Sequence, residues 1–261
     1  MIALEAKKAC KYFSGLKAVD QVDMQVNEGE ILGIIGPNGA GKTTFFNLCA
    51  GTYPVTHGEI WLYGKNITNK KQEQIAQLGL ARTFQNIKLF TQMTVKENIA
   101  AGFHIHTKTN IFDAIFHTKR YRDDEKMIAE KTDEILKRLD MEQYGDLTAG
   151  NLSYGIQRKV EIARCMAMNP KILLLDEPAA GMNPNETAEL LEFVKKLNAD
   201  GYTIVVIEHD MKFMMNLCDR IVVLCYGKKI CEGTPEEVRQ NQEVQEAYFG
   251  KSMSAKMREE G

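Results

Sequence analysis

Apolar positions follow three regimes along the chain. In the first third they alternate or form short blocks. Residues 22–26 (VDMQV) alternate, which predicts a half-exposed strand. Residues 27–30 (NEGE) signal a turn, and the β-branched block 31–35 (ILGII) then predicts a buried strand. A glycine-rich loop occupies 36–41, and 43–50 has helical character. His57-Gly58 opens a second hairpin, with its strand at 59–63 (EIWLY).

From about 94 to 168 the period becomes helical and charges are frequent. Within 123–139, Met127, Ile128, Ile135, Leu136 and Leu139 line one stripe, and Glu134 stands at helical spacing from Arg138. The last third alternates blocks and stripes. Residues 171–175 (KILLL), 202–207 (YTIVVI) and 221–225 (IVVLC) predict strands, with an amphipathic helix at 186–198 between the first two. Strands that alternate with helices predict an α/β fold of βα units around a largely parallel sheet. Thr234-Pro235-Glu236-Glu237 is a helix start: a Thr cap, Pro at the first position and Glu three residues after the cap. From about 251 the chain is polar and is expected to fray.

Composition narrows the functional classes. The 261 residues suffice for a large core, and 44% apolar with 26% charged residues is ordinary for a globular protein. Thirty-three Lys and Arg against 35 Asp and Glu leave a net charge of −2, so there is no basic footprint for nucleic acid. No apolar run reaches membrane-spanning length, and MIALEAKKAC has no apolar core of signal-peptide length, so a cytosolic protein is expected. Cys10, Cys49, Cys165, Cys218, Cys225 and Cys231 lack metal-ligand spacing and are read as free, mostly buried thiols. His104 and His106 form an HxH pair without the ligand cluster that a metal centre needs.

The chemistry starts at Gly36-Pro37-Asn38-Gly39-Ala40-Gly41-Lys42-Thr43, a complete GxxxxGK[ST] between a predicted strand and helix. Glycines let the backbone N–H groups turn inward as an anion nest, and the helix adds its positive dipole end. Lys42 supplies charge for the β- and γ-phosphates, and the Thr43 hydroxyl is placed for Mg²⁺. Residues 172–177 (ILLLDE) read as an apolar strand ending in two acids, Asp176 and Glu177. Open α/β sheets bind ligands at the carboxyl ends of their strands. Asp176 there fits a metal-reaching role and Glu177 the polarisation of an attacking water. His209 ends the segment 202–209 (YTIVVIEH) on the same sheet edge, where a neutral imidazole can hydrogen-bond around a γ-phosphate.

These residues, in this order, resemble an ABC-transporter nucleotide-binding subunit over about residues 4–250. Gly36 through Lys42, Thr43 and Thr44 form the P-loop, and Gln85 in ARTFQ resembles the Q-loop, which in the family touches Mg²⁺ and couples to the membrane domain. Leu152-Ser153-Tyr154-Gly155-Ile156-Gln157 resembles the signature, Ala180-Gly181-Met182-Asn183 the D-loop, and His209 the switch. Phe13 sits where the family places an adenine-stacking aromatic, with Tyr12 the adjacent alternative. Three positions depart from the family pattern. Tyr154 replaces a glycine, Ile156 replaces a glutamine and so removes a polar contact, and Asn183 replaces an aspartate, keeping its shape without its charge. Ser153 and Gly155 retain the hydroxyl and the close backbone approach to a γ-phosphate.

The resemblance implies a P-loop NTPase of ABC type. It has a RecA-like core, an N-terminal antiparallel β portion and a helical subdomain at about 87–160, inserted in one domain spanning 1–250. It implies hydrolysis of MgATP, with Glu177, His209 and Gln85 catalytic and Thr43, Gln85 and Asp176 toward Mg²⁺. It implies a second ATPase subunit, since one P-loop and one signature do not close a site alone. The other partners implied are integral-membrane permeases and, indirectly, a solute-binding protein, with the chain peripheral on the cytoplasmic face of the membrane. ARTFQN, the helical stretch 103–141, EIARCMAMNPKILLLDEPAAGMNP and GTPEEVRQNQEVQEAYFG resemble the G-type ATPases of branched-chain amino acid importers. The alternatives are an ATPase of a urea or short-amide importer and a non-transport ABC ATPase.

Overall fold

The computed structural model describes residues 1–105, 107, 111–116 and 118–249. The tail expected at 251–261 and His106 of the HxH pair lie outside the described residues.

Two sheets organise the chain. The first is antiparallel, in the order β2-β1-β4-β5, from β1 (Ile2–Phe13), β2 (Leu16–Asn27), β4 (His57–Leu62) and β5 (Lys65–Asn66). The second has the order β10-β9-β3-β8-β7-β6. Its members are β3 (Ile31–Ile35), β6 (Leu80–Arg82), β7 (Ile172–Asp176), β8 (Thr203–Ile207), β9 (Arg220–Cys225) and β10 (Lys228–Gly233). All neighbours in it are parallel except the edge pair β9–β10. The helices are α1 (Lys42–Cys49), α2 (Gln72–Gln77), α3 (Val95–Phe103), α4 (Ile111–Ile115), α5 (Lys119–Arg138), α6 (Tyr154–Ala167), α7 (Pro184–Ala199), α8 (Met211–Leu217), α9 (Pro235–Gln240) and α10 (Gln242–Phe249).

The parallel strands are buried on both faces, which is why they read as unbroken apolar blocks. Alternate residues serve two cores. Ile31, Ile35, Leu173, Leu175, Ile204 and Val206 face α3 and α5–α8. Leu32, Ile34, Leu174, Val205 and Ile207 face α1 and the antiparallel sheet, where Phe45 and Phe46 are fully buried. Between β6 and β7 the chain leaves the sheet, and α3, α5 and α6 pack on one another.

The antiparallel portion is longer than the alternation at 22–26 predicts. Strands β1 and β2 carry bulges with positive φ at Lys8 (44°) and Gln21 (53°), and each bulge breaks the period of two. Five cysteines are buried, Cys231 is half-buried, and all six are free. Burial pushes the thiols of Cys49 and Cys165 up to about 12.

Candidate functional site

After β3 the chain turns through Gly36–Gly41 into α1. Gly36 has φ +151° and Gly41 φ +99°. A Cβ at Gly36 would stand 2.1 Å from the Leu224 carbonyl oxygen, and one at Gly41 would stand 2.2 Å from that of Ala18. Both positions therefore demand glycine for space as well as conformation. Lys42 folds back over the loop, its ammonium donating to the carbonyls of Gly36 (2.6 Å) and Pro37 (3.1 Å). Burial pushes the Lys42 pKa below its usual value, opposed by the nearby carboxylates of Glu177 and Asp176.

A cavity of about 390 Å³ opens against this loop. Asn38, Gly39, Ala40, Gly41, Lys42, Thr43, Thr44 and Glu177 line it, and Leu16, Lys17, Ala18 and Tyr226 close it from the other side. Strand register brings the acids here. Asp176 pairs with Ile207 at the ends of β7 and β8, and Ile34 pairs with Ile207 across β3. Glu177 follows with φ +45°, a conformation that costs a non-glycine residue about 1–3 kcal/mol and that clusters at functional sites. Its backbone N–H donates to the Ile207 carbonyl (2.9 Å), and its Oε2 accepts from the Gln85 amide (2.9 Å). Asp176 is buried and ion-paired to Arg82 at 2.7 Å. An oxygen set of hydroxyl, amide and carboxylate at Thr43, Gln85 and Asp176 is the chemistry a Mg²⁺ ion takes.

The structure thus gathers the P-loop, Asp176, Glu177 and Gln85. The other predicted residues stand apart from the cavity. The Phe13 ring meets Tyr53 edge-on at 5.5 Å, with the Lys11 ammonium 4.9 Å from its centroid. The imidazole of His209 is 62% exposed, with Nδ1 3.5 Å from Glu208 Oε2. Ser153 is the exposed N-cap of α6, and its side chain makes no capping bond. The Gly155 N–H donates to Glu186 Oε1 (3.3 Å).

The family described as ABC transporter matches residues 19–180, and the family described as branched-chain amino acid ATP-binding cassette transporter matches residues 228–253. The chain is 43% identical to the high-affinity branched-chain amino acid transport ATP-binding protein BraF of Pseudomonas aeruginosa, over 95% of this chain and 98% of BraF. It is 44% identical to the corresponding LivG protein of Escherichia coli K12, over 92% and 94%. A solved structure of an ABC-transporter ATP-binding cassette in its ADP conformation superposes with TM-score 0.84 and 35% identity, covering 96% of this chain and 100% of that one. The chain belongs to the ABC transporter family. It is an ATP-binding cassette of the branched-chain amino acid group and, as cassettes of that family are, an ATPase.

Three residues of the cassette were not singled out from the sequence. Arg82 joins Asp176 to Asn47 of α1, with a 2.5 Å bond to the Asn47 amide oxygen. Glu208 is buried, accepts from the Ala179 N–H (2.7 Å) and the His209 N–H (3.0 Å), and has its pKa raised by burial. Arg158 is fully buried on the signature helix. The available signal was a charge beside a motif: Arg82 stands three residues before Gln85, and Glu208 immediately before His209.

Proposed function

We propose that this cassette hydrolyses MgATP to drive uptake of branched-chain amino acids through partner permeases. The observation that carries the catalytic half is the convergence of Lys42, Asp176, Glu177 and Gln85 at the carboxyl edge of one sheet. In this reading Gly36–Thr44 cradle the triphosphate, Lys42 turns from its carbonyl partners to the phosphates, and Phe13 stacks on adenine. Thr43, Gln85 and Asp176 would hold Mg²⁺, which when bound offsets phosphate charge. Glu177 takes a proton from the attacking water, oriented by Gln85, while His209 hydrogen-bonds around the γ-phosphate. Positioning and charge carry such a reaction, since little covalent chemistry is asked of the protein.

Ser153 and Gly155 would meet the γ-phosphate of an opposing subunit, either a second copy or a similar ATPase. A post-hydrolysis ATP-binding cassette bound to ADP and Pi, 26% identical, is described as dimeric, which supports this. Residues 1–250 form one domain in this proposal, with 87–160 as its helical insertion. Among the described residues no helix is long and apolar enough to cross a membrane. The proposed placement is peripheral, on the cytoplasmic face, against integral-membrane subunits served by a solute-binding protein. Phe84 and Phe90, 42% and 53% exposed beside Gln85, suit contact with a permease, whereas Leu89 packs into the core.

The amino-acid half rests on the relatives named above. Reconstitution with permeases and binding protein tests it. Leucine-stimulated ATPase activity that vanishes in Gln85→Ala is expected. Stimulation by urea or an amide alone would replace the substrate and leave the mechanism, and ATPase activity indifferent to any permease would favour a non-transport role.

A further inference from the structure

The signature helix is fastened to the loop bearing Gln85 by a buried ion pair. Arg158 and Glu161 lie one turn apart on α6, both almost fully inaccessible, with Arg158 Nη1 donating to Glu161 Oε2 at 2.7 Å. The same guanidinium donates to the Phe84 carbonyl (2.7 Å) and the Gln85 carbonyl (2.9 Å). The other oxygen of Glu161 accepts from the backbone N–H groups of Lys88 (3.3 Å) and Phe84 (3.5 Å). Backbone groups across residues 84–88 are therefore held by two side chains of one helix. Toward the start of that helix, Tyr154 places its hydroxyl 3.5 Å from Arg158 Nη2, and its ring centroid is 6.0 Å from the guanidinium carbon.

A buried ion pair is weak evidence for stability, because apolar residues of similar volume often serve as well, and its best-attested use is to fix a register. Here the register is that of α6 against the Gln85 backbone. We propose that Arg158 and Glu161 are positioning residues that make Gln85 and the signature at Ser153–Gly155 move as one body. The proposal rests on the ATPase reading above. A displacement at Gln85 on closure around ATP then reaches Ser153 through two side chains rather than through the intervening chain. Tyr154, which departs from the usual glycine, belongs to the same clamp, because its ring and hydroxyl cover the outer side of the guanidinium.

The test is a double-mutant cycle on the full chain, Gln85→Ala against Arg158→Lys. Lysine keeps the charge but lacks the planar fork that serves Glu161 and two carbonyls together. Arg158→Lys alone is expected to lower kcat by about 10- to 100-fold, the scale of a small misplacement of a catalytic group. The affinity of a single subunit for MgATP should stay within about twofold, because the P-loop is untouched. In the Gln85→Ala background the same change should have almost no further effect. Multiplication of the two separate effects in the double variant would overturn the proposal. Amide exchange of the wild-type chain supplies a readout that needs neither folded variants nor turnover. Phe84 and Lys88 should be protected and should open in step with α6, and exchange as fast as that of exposed Asn86 would overturn the proposal. Wild-type ATPase activity insensitive to Glu177→Gln would instead overturn the underlying catalytic reading.

Discussion

The Gln85 amide donates to the Glu177 carboxylate at 2.9 Å, across 92 residues of sequence. The contact joins the end of β6 to the end of β7 and aims the acid whose backbone is already held in a strained conformation, φ +45°. A glutamine at 177 still offers Gln85 an acceptor but takes no proton from water. Glu177→Gln is expected to bind MgATP with near wild-type affinity and to hydrolyse it about 10²-fold more slowly or worse. Calorimetry of binding beside single-turnover hydrolysis checks both halves. Wild-type turnover would assign water activation to another group.

Lys42 is a charge held largely out of water. Its pKa lies below the usual lysine value because burial penalises the ammonium. At neutral pH the charged side chain therefore opposes folding, and in the proposed reading a bound triphosphate would compensate it. Lys42→Met should raise the melting temperature of the nucleotide-free chain and abolish the further rise produced by MgATP, since charge-assisted bonds to phosphate have no neighbouring substitute. Thermal scans with and without MgATP measure both effects. A melting temperature that falls in Lys42→Met would show that the two carbonyl bonds outweigh the burial.

The parallel core was legible because its strands are buried on both faces and so spell uninterrupted apolar blocks. The apolar block at 171–175 sets β7 one residue early, and the two acids that follow mark its end, which the structure places at Asp176 with Glu177 just beyond the strand. Strand β6, three residues long, was illegible: Leu80-Ala81-Arg82 has no period to read, and only pairing with β7 makes it a strand. Strand β10 was hidden similarly, as an exposed edge rich in charge (KKICEG). In the site, the motif residues were legible as types and spacings. Their supports were not, because Arg82 meeting Asp176 and Arg158 meeting the Gln85 carbonyl depend on distant elements being brought into register.

Gly33 tests the packing between β3 and α8. It is the one residue of β3 without a side chain, and a Cβ there would stand 2.5 Å from Met214 Cε and 2.8 Å from Cys218 Sγ. Gly33→Ala forces those side chains aside and is expected to destabilise the chain by about 1–3 kcal/mol, the usual penalty of overpacking. Met214 is fully buried, so Met214→Ala alone is expected to cost about 2–5 kcal/mol, and the double variant should lose less than the sum of the two. Urea denaturation of the three variants measures it, and an unaltered midpoint in Gly33→Ala would mean that the helix yields freely.

Asn183 stands where the family carries an aspartate, and the structure gives the amide a use. Its oxygen caps α7, accepting from the N–H groups of Asn185 and Glu186 at 3.0 Å each. Its nitrogen donates to Glu186 Oε2 at 2.9 Å, while Glu186 Oε1 accepts from the signature Gly155 N–H at 3.3 Å. Glu186 therefore bridges D-loop and signature, and Asn183 holds its Oε2 twice, with the side-chain amide and with the backbone N–H at 3.1 Å. Asn183→Asp keeps the cap but sets a second negative charge against Glu186 in place of a donor. We expect a stability loss of about 0.5–1.5 kcal/mol, the worth of an ordinary hydrogen bond. We also expect faster exchange of the Gly155 amide as Glu186 swings away. Adding Glu186→Gln restores a donor facing the new carboxylate and should return most of the stability, so the two changes should be strongly non-additive. Additive losses in that cycle would show that Asn183 acts as a helix cap and nothing more.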